Sequence, residues 1–205
     1  LGGRVHEKVR IYVNGWFAGA KTPEEFGAKA KEAVARGVTA MKWDPFQGYW
    51  RNYITQAQED YAVDCVKAVR EAVGPEIGAN FDPSHLIWQG MDPVACIRKM
   101  GDAIFHFHAK DTKIDKYNTA VNGVLDTKPY ADEINRSWIF RSVGYGNDYS
   151  YWKDIISNLR MVGYDYAISI EHEDSLMSQN EGLSKAVSFL KDVLVTEPTG
   201  AMWWV

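Results

Sequence analysis

Hydrophobic and polar positions along the chain form two kinds of pattern that follow one another. Short runs of β-forming residues lie at 9–13, 38–43, 77–82, 104–109 and 166–170. Between and after these runs are longer stretches in which apolar residues recur every three or four positions, as on the buried face of a helix. Strands that alternate with helices predict an α/β fold with a parallel sheet or barrel.

Capping residues mark the ends of several predicted helices. The run 22–25 (TPEE) is a capping box with proline at the first helical position, and Asp92-Pro93 repeats the cap and the proline. Gly37 and Gly74 follow the last apolar positions of the first two helices and are expected to end them. The segment 112–147 is different, because it is long, polar and aromatic, and connections of that length usually carry function.

The chain has 205 residues, of which 46% are hydrophobic and 13% aromatic, enough for a substantial core. This length predicts one α/β domain over residues 1–205. The predicted strands number about five, whereas a closed βα barrel needs about eight strands and typically ~250 residues. We therefore expect parallel βα units that form an incomplete barrel or one completed by oligomerisation.

Charge and cysteine content exclude several classes of function. The net charge is −4 with both signs interspersed, which is not the pattern of a protein that binds nucleic acid or an anionic membrane. No apolar run approaches the ~18 residues of a membrane span. Cys65 and Cys96 both lie at apolar positions of predicted helices, which favours buried free thiols and a cytoplasmic location.

Polar residues capable of binding metal stand at the ends of three predicted strands. The run 77–82 ends in Asp82, the run 104–109 contains His108 and leads into Lys110, and the run 166–170 is followed by Glu171. In parallel α/β proteins, ligands bind at the carboxyl ends of the strands. The three strand ends therefore predict one divalent-metal site that faces a small polar substrate.

Residues from about 80 to the C-terminus resemble the sugar phosphate isomerase/epimerase family, which has a xylose isomerase-like barrel. The matching stretches are 80–86 (NFDPSHL), 106–111 (HFHAKD), 144–146 (GYG) and 169–174 (SIEHED). They look like the last three strands of that barrel. The joint occurrence of these stretches is specific to the family.

Residues 1–78 resemble a different family, the enolase superfamily. The stretches 12–16 (YVNGW), 22–26 (TPEEF), 41–46 (MKWDPF) and 68–74 (AVREAVG) are similar to the first two barrel strands of its acid-sugar dehydratases. The chain thus looks like two TIM-barrel fragments, 1–78 and 79–205, joined near Gly78. We expect both fragments to belong to the one α/β domain.

The isomerase-like resemblance implies a set of site residues. Asp82, His108 and Glu171 match the family's metal ligands, and His85 matches a catalytic residue that contacts a substrate hydroxyl. A mixed set of oxygen and nitrogen ligands suits Mn²⁺, Mg²⁺, Co²⁺ or Zn²⁺. The family's fourth ligand, a glutamate that is also one of its two catalytic bases, has no counterpart here. Glu171 matches the other base.

Two basic residues are candidates for binding the substrate. Arg141 resembles a position that contacts a sugar hydroxyl or phosphate, and the alternative is that it stacks on neighbouring aromatic residues. Lys110 is expected either to contact the substrate or to form a local ion pair with Asp111.

These assignments predict a divalent-metal-dependent sugar isomerase or epimerase whose activity is impaired by the missing base. One alternative is an acid-sugar dehydratase that uses Lys42 and a metal, with Asp44 either a ligand or a turn residue before Pro45. The other is a non-catalytic recombinant of two barrel fragments. Because open sheet edges tend to pair, we also expect a homo-oligomer, with Trp203-Trp204 as a contact.

Overall fold

The computed structural model describes residues 11–46, 54–74 and 78–204. The chain divides at residues 78–79 into two compact units, an N-terminal and a C-terminal unit. The single domain expected from the sequence stays a prediction.

Two helices make up most of the N-terminal unit, α1 (Pro23–Ala35) and α2 (Gln56–Val73). Both begin with a complete capping box, in which the side chain of Thr22 or Thr55 accepts a hydrogen bond from the backbone three residues later. The helices pack through fully buried residues that include Phe26, Cys65 and Val69. The first capping box was predicted from the sequence and is confirmed.

The two strands predicted in this unit are reduced to a single parallel bridge between Val13 and Met41. Val13 donates to the carbonyl of Ala40, and Lys42 donates to the carbonyl of Val13, both at 3.0 Å. The carbonyl of Lys42 accepts a hydrogen bond from the indole of Trp16 at 3.0 Å, so a side chain takes an acceptor that a longer ladder would use. The prediction of a full strand at 38–43 was therefore wrong, and residues 9–10 lie outside the described residues.

The C-terminal unit is built on a parallel sheet of three strands, β1 (Ala79–Phe81), β2 (Ile104–Ala109) and β5 (Ile168–Ile170), in the order β1-β2-β5. Helices α3 (Pro83–Ile87), α4 (Pro93–Met100), α6 (Tyr149–Met161) and α7 (Gln179–Val193) connect or follow these strands. The predicted α/β class with parallel strands is confirmed. No closed barrel forms within the described parts of the chain, in agreement with the expected incomplete barrel.

The core of the C-terminal unit lies between the sheet and its helices. Its largest fully buried side chains come from β2 and α6, with Phe107 and Trp152 both at 0% exposure. Helix α7 adds apolar residues to the same cluster, of which Leu190 is an example. This packing fixes the strands that carry the predicted metal ligands.

The segment 112–147 contains regular structure that the sequence did not predict. Strand β3 (Asp111–Ile114) pairs antiparallel with β4 (Trp138–Arg141), and helix α5 (Lys116–Asn122) lies between them. The alternation of buried and half-buried residues along β4 is typical of a strand with one covered face. The sequence shows no alternation of apolar and polar residues along β4, because both of its faces carry large or polar side chains.

Two buried charged side chains, Asp126 and Arg136, stabilise the segment between β3 and β4. Asp126 accepts hydrogen bonds from the backbone of Lys128 and Ser137, at 2.9 and 2.5 Å. Burial raises the pKa of Asp126, but these backbone bonds and the Lys128 ammonium outweigh it and lower the pKa to about 2. The guanidinium of Arg136 lies 4.4 Å from the ring centre of Tyr130 and 4.7 Å from that of Trp138.

Asp111 is the hydrogen-bond acceptor that organises the turn before α6. Its fully buried carboxylate accepts from the backbone of Gly144, Gly146 and Asn147 at 3.0 to 3.1 Å, and from the Trp152 indole at 3.1 Å. A side chain at Gly146 would place its Cβ 2.5 Å from Asp111, so only glycine fits this approach. Asp111 thus acts within the fold, and its predicted ion pair with Lys110 is not formed.

No helix in the described ranges is long and apolar enough to cross a membrane. Cys65 and Cys96 are both free thiols, as the sequence predicted, but only Cys65 is buried and Cys96 is half-buried.

Candidate functional site

Three neighbouring strands bring the predicted metal ligands together. Asp82 directly follows β1, His108 lies in the central strand β2, and Glu171 directly follows β5. Because the strands are parallel, their carboxyl ends lie at one edge of the sheet. One ligand atom from each residue lies within 4.8 Å of the other two.

The His108 ring faces both carboxylates through one nitrogen. Its Nδ1 is 3.9 Å from Asp82 Oδ2 and makes a close contact with Glu171 Oε2. The His108 side chain is 5% exposed, so these contacts occur away from bulk water. The arrangement points one nitrogen and two carboxylate oxygens at a common point.

The two carboxylate oxygens of Asp82 have different contacts, one within the fold and one at the site. Its Oδ1 caps helix α3 by accepting from the backbone and the hydroxyl of Ser84, at 2.9 and 2.6 Å. Its Oδ2 faces His108 and lies 3.5 Å from Nε2 of His85. Burial alone would raise the pKa of Asp82, yet the hydrogen bonds with His108 and Ser84 lower it below the usual value. The carboxylate is therefore ionised near neutral pH.

His85 lies on the exposed side of the site, one helical turn after Asp82. Its ring packs edge-on against Phe140, with 5.5 Å between ring centres. Partial removal from water lowers the pKa of His85, although the Asp82 carboxylate opposes this change. A neutral imidazole at this position can donate to or accept from a substrate hydroxyl.

Lys110 is buried beside the three ligand candidates. Its ammonium lies 3.1 Å from Glu171 Oε1, 2.7 Å from Glu173 Oε2 and 4.0 Å from the ring centre of Phe140. Burial lowers the pKa of Lys110, but the hydrogen bond with Glu173 and the charge of Glu171 raise it above the usual value overall. Lys110 is thus a permanent cation at neutral pH.

Glu171 is the most strongly perturbed acid of the site. The hydrogen bond with His108 lowers its pKa most, burial opposes this, and Lys110 lowers it further, to about 2. A carboxylate with so low a pKa is a good metal ligand and a weak base, since efficient bases have pKa values near the working pH. Its use as a base requires that the bond to His108 be broken.

The structure places Arg141 in an ion pair. Its Nε lies 3.0 Å from Oδ2 of buried Asp174, which also accepts from the backbone of Ser142 at 2.7 Å. The guanidinium lies 5.6 Å from the ring centre of Tyr145, so the stacking alternative is present as well. Contact with a substrate would require the pair with Asp174 to open.

The enolase-like candidates lie in the N-terminal unit. Asp44 accepts a hydrogen bond from the backbone of Phe46 at 2.9 Å, which is the turn role considered for it. The ammonium of Lys42 lies 5.6 Å from the ring centre of Tyr12. Neither contact requires a substrate or a metal.

Sequence reasoning missed three residues that contact the predicted site. Asn80 places its Nδ2 3.3 Å from Nε2 of His108, Glu173 pairs with Lys110, and Phe140 covers Lys110 and His85. A signal for Asn80 and Glu173 was present, because each is two residues from a predicted ligand and so shares its side of an extended chain. Phe140 lies in a strand that the sequence did not reveal.

The donor set fits a divalent metal ion. Two carboxylates and one imidazole nitrogen are ligands that first-row divalent ions accept, and they come from separate strands of a packed sheet. The carboxyl group of Asp82 and the ring of His108 are held in place by further hydrogen bonds, as is usual for metal ligands.

Comparison with known proteins finds a family model, a relative and a solved structure that each match most of this chain. The model of the xylose isomerase-like TIM barrel family matches residues 21–193. YfiH of Bacillus subtilis (strain 168), an uncharacterized protein, is 43% identical over 164 residues, which are 80% of this chain and 50% of YfiH. The crystal structure of a xylose isomerase domain protein from Planctomyces limnophilus matches 83% of this chain and 63% of that chain, with a TM-score of 0.52 and 17% identity.

A segment of the chain also matches the enolase-type enzymes. D-gluconate dehydratase of Thermoproteus tenax is 47% identical over 77 residues, and D-gluconate/D-galactonate dehydratase of Picrophilus torridus is 39% identical over 80 residues. The matched parts are 38% of this chain but only 15% and 19% of those enzymes. The chain spans half the length of YfiH and less than a fifth of either dehydratase. The double resemblance expected from the sequence is confirmed.

Proposed function

Because the chain belongs to the xylose isomerase-like TIM barrel family, we propose that it is a divalent-metal-dependent sugar isomerase or epimerase. One observation carries the proposal: ligand atoms of Asp82, His108 and Glu171 lie within 4.8 Å of one another. Mn²⁺, Mg²⁺, Co²⁺ and Zn²⁺ all suit this donor set. The substrate class is a small sugar.

The residues around the three ligands support sugar chemistry. When bound, a divalent ion polarises the oxygen atoms of a carbonyl substrate. Lys110 offers a buried positive charge, and His85 offers a hydrogen-bonding group on the exposed side. Glu171 is the base that takes the proton from the carbon next to the carbonyl, once its hydrogen bond to His108 has been broken.

The proposed chemistry uses one base, because Glu171 is the base that matches the family among the described residues. A single base returns the proton mainly to the face from which it was taken. Exchange of the proton with solvent and interconversion of aldose and ketose can use one base, whereas efficient epimerisation needs a base on each face. We therefore propose an isomerase-type activity with little net epimerisation.

The segment shared with D-gluconate dehydratases supports a second candidate, an acid-sugar dehydratase that uses Lys42. Dehydration would release a keto-acid, and isomerisation would not. A third candidate, a non-catalytic recombinant of two barrel fragments, would show neither activity and no tight metal binding. Assays for keto-acid release and for metal binding separate the three.

Metal binding gives the direct test of the proposed site. We expect the wild-type protein to bind one Zn²⁺ per chain in a calorimetric titration. His108→Ala should weaken binding by at least about 100-fold, because it removes the nitrogen ligand of the set. His106→Ala is the matched control, since His106 lies two residues earlier on the same strand and hydrogen-bonds to Ser169 at 2.7 Å. A wild-type protein without Zn²⁺ binding would refute the proposal.

We also propose that the chain is a homo-oligomer. Strands β1 and β5 are the edges of the three-stranded sheet, and exposed edges tend to pair. Trp203 and Trp204 are 86% and 67% exposed, as expected of residues that contact a second copy. Light scattering at micromolar concentrations should give a dimer mass, and Trp203→Ser should shift it towards the monomer. A monomer mass at all concentrations would contradict this.

A further inference from the structure

Asn80 on β1 carries a buried polar atom that the fold leaves unsatisfied. Its Nδ2 lies 3.3 Å from Nε2 of His108, the ring nitrogen that does not face the carboxylates. Its Oδ1 is buried and has no hydrogen-bond partner among the described residues. An unsatisfied buried acceptor lowers the stability of the fold, so its retention in a native protein calls for a reason.

The hydrogen bonds of His108 supply that reason. In the structure Nδ1 contacts the Glu171 carboxylate, an acceptor, so Nδ1 carries the proton. Nε2 then has a lone pair that accepts the hydrogen bond from Asn80 Nδ2. A metal ion at Nδ1 needs the lone pair on that nitrogen, so the proton must be on Nε2 instead. In that state Nε2–H requires an acceptor.

We propose that Asn80 is a positioning residue that supports both proton arrangements of His108, its amide turning by half a rotation when a divalent metal ion binds. In the metal-free state Nδ2 donates to Nε2, and in the metal-bound state Oδ1 accepts from Nε2–H. The unsatisfied Oδ1 is the acceptor that the metal-bound state requires. This inference rests on the proposed metal site. Asn80 contacts the ligand and not the metal.

Asparagine is suited to this role because a single side chain carries both a donor and an acceptor. Aspartate would serve only the metal-bound state, since a carboxylate can accept but not donate. Leucine has nearly the same shape as asparagine and serves neither state. The two substitutions therefore separate the loss of the acceptor from a change in packing.

Zinc binding and the proton position of His108 test the inference together. Zn²⁺ affinity is measured by competition with a chromophoric chelator for the wild type, Asn80→Leu and Asn80→Asp. We expect a 10–100-fold loss for Asn80→Leu, the range typical of residues that orient metal ligands, and at least wild-type affinity for Asn80→Asp. Ser169→Ala is the control, because Ser169 lies opposite His108 on β5 and bonds to His106. It should stay within about twofold of the wild type.

Nitrogen-15 NMR of the imidazole reports which ring nitrogen carries the proton, and a change in packing alone would not alter this. The wild-type His108 should carry its proton on Nδ1 without metal and on Nε2 with Zn²⁺. Equal Zn²⁺ affinity for Asn80→Leu and the wild type, or a 10-fold loss for Asn80→Asp, would overturn the inference and leave the metal site standing. If Asn80→Leu does not fold, the Asn80→Asp affinity and the wild-type spectra decide. A wild type that binds no Zn²⁺ would remove the proposed function, and the inference with it.

Discussion

Replacing Glu171 with glutamine is expected to abolish the exchange of sugar α-protons with solvent deuterium. Glutamine keeps the shape of the side chain, but it cannot accept the proton, and loss of a general base costs about 10²–10⁴-fold in rate. The same change removes a charged ligand, so metal affinity should also fall. Proton NMR of aldoses, ketoses and their phosphates in deuterium oxide with Mg²⁺ measures the exchange for both proteins.

Glu173→Gln is the matched control for this experiment. Glu173 pairs with Lys110, as Glu171 does, but the other contact of Glu171 is with His108. Exchange that survives in Glu173→Gln and is lost in Glu171→Gln, with Mg²⁺ saturating for both proteins, assigns the proton transfer to Glu171. Exchange that survives in both would show that another group is the base. Fast net epimerisation by the wild type, at ~1–10³ s⁻¹, would reveal a second base.

Asp111→Asn is expected to lower the free energy of unfolding by about 1–3 kcal/mol, the cost of leaving buried hydrogen-bond donors without an acceptor. The carboxylate accepts hydrogen bonds from three backbone N–H groups and from the Trp152 indole. These four donors bond to Oδ2, and Oδ1 accepts from the backbone of Thr112 and the amide of Asn147. An amide nitrogen in place of either oxygen would therefore face donors without accepting from them. Urea unfolding followed by circular dichroism measures the change, which is large beside a typical stability of about 5–15 kcal/mol.

Asp165→Asn controls for the loss of one negative charge. Asp165 is exposed between α6 and β5, and its replacement should change the stability by less than about 0.5 kcal/mol. A similar small effect for Asp111→Asn would show that the turn before α6 does not depend on the buried carboxylate.

The ligand candidates could be predicted from the sequence because their positions follow from strand polarity. A β-type run predicts a strand, and a parallel arrangement brings the carboxyl ends of neighbouring strands to one edge. These two rules bring the three polar strand ends together, and the resemblance to the isomerase family singles out Asp82, His108 and Glu171, whose ligand atoms lie within 4.8 Å of one another in the structure. Their roles in binding and catalysis stay predictions.

Other parts of the site depend on contacts that no local pattern encodes. Strand β4 was missed because its residues are large or polar on both faces, and Phe140 was missed with it. Lys110 was considered as a partner of its neighbour Asp111, but it pairs with Glu171 and Glu173, which are about 60 residues away in sequence. Arg141 likewise finds Asp174 across the fold. Pairings at such a distance are decided by the three-dimensional packing.

Similarly, the run at 38–43 forms one bridge and no strand in the structure, because a β-type run alone does not ensure a ladder. Val13 and Met41 form a bridge, but the Trp16 indole takes the carbonyl of Lys42. The spacing of hydrophobic residues alone cannot predict that a tryptophan side chain competes with the backbone for a hydrogen-bond acceptor.

The buried ammonium of Lys110 sets the charge balance of the whole centre. A histidine that gives a ring-nitrogen lone pair to a metal is neutral, so with His108 as a ligand the carboxylates of Asp82, Glu171 and Glu173 and the Lys110 ammonium sum to two negative charges. A divalent cation would make this group electrically neutral, whereas a monovalent ion would leave it charged in a poorly hydrated place. The lysine also keeps Glu171 and Glu173 from repelling each other before an ion arrives. We therefore expect Lys110 to act as an internal counter-ion, so that the proposed site favours doubly charged cations.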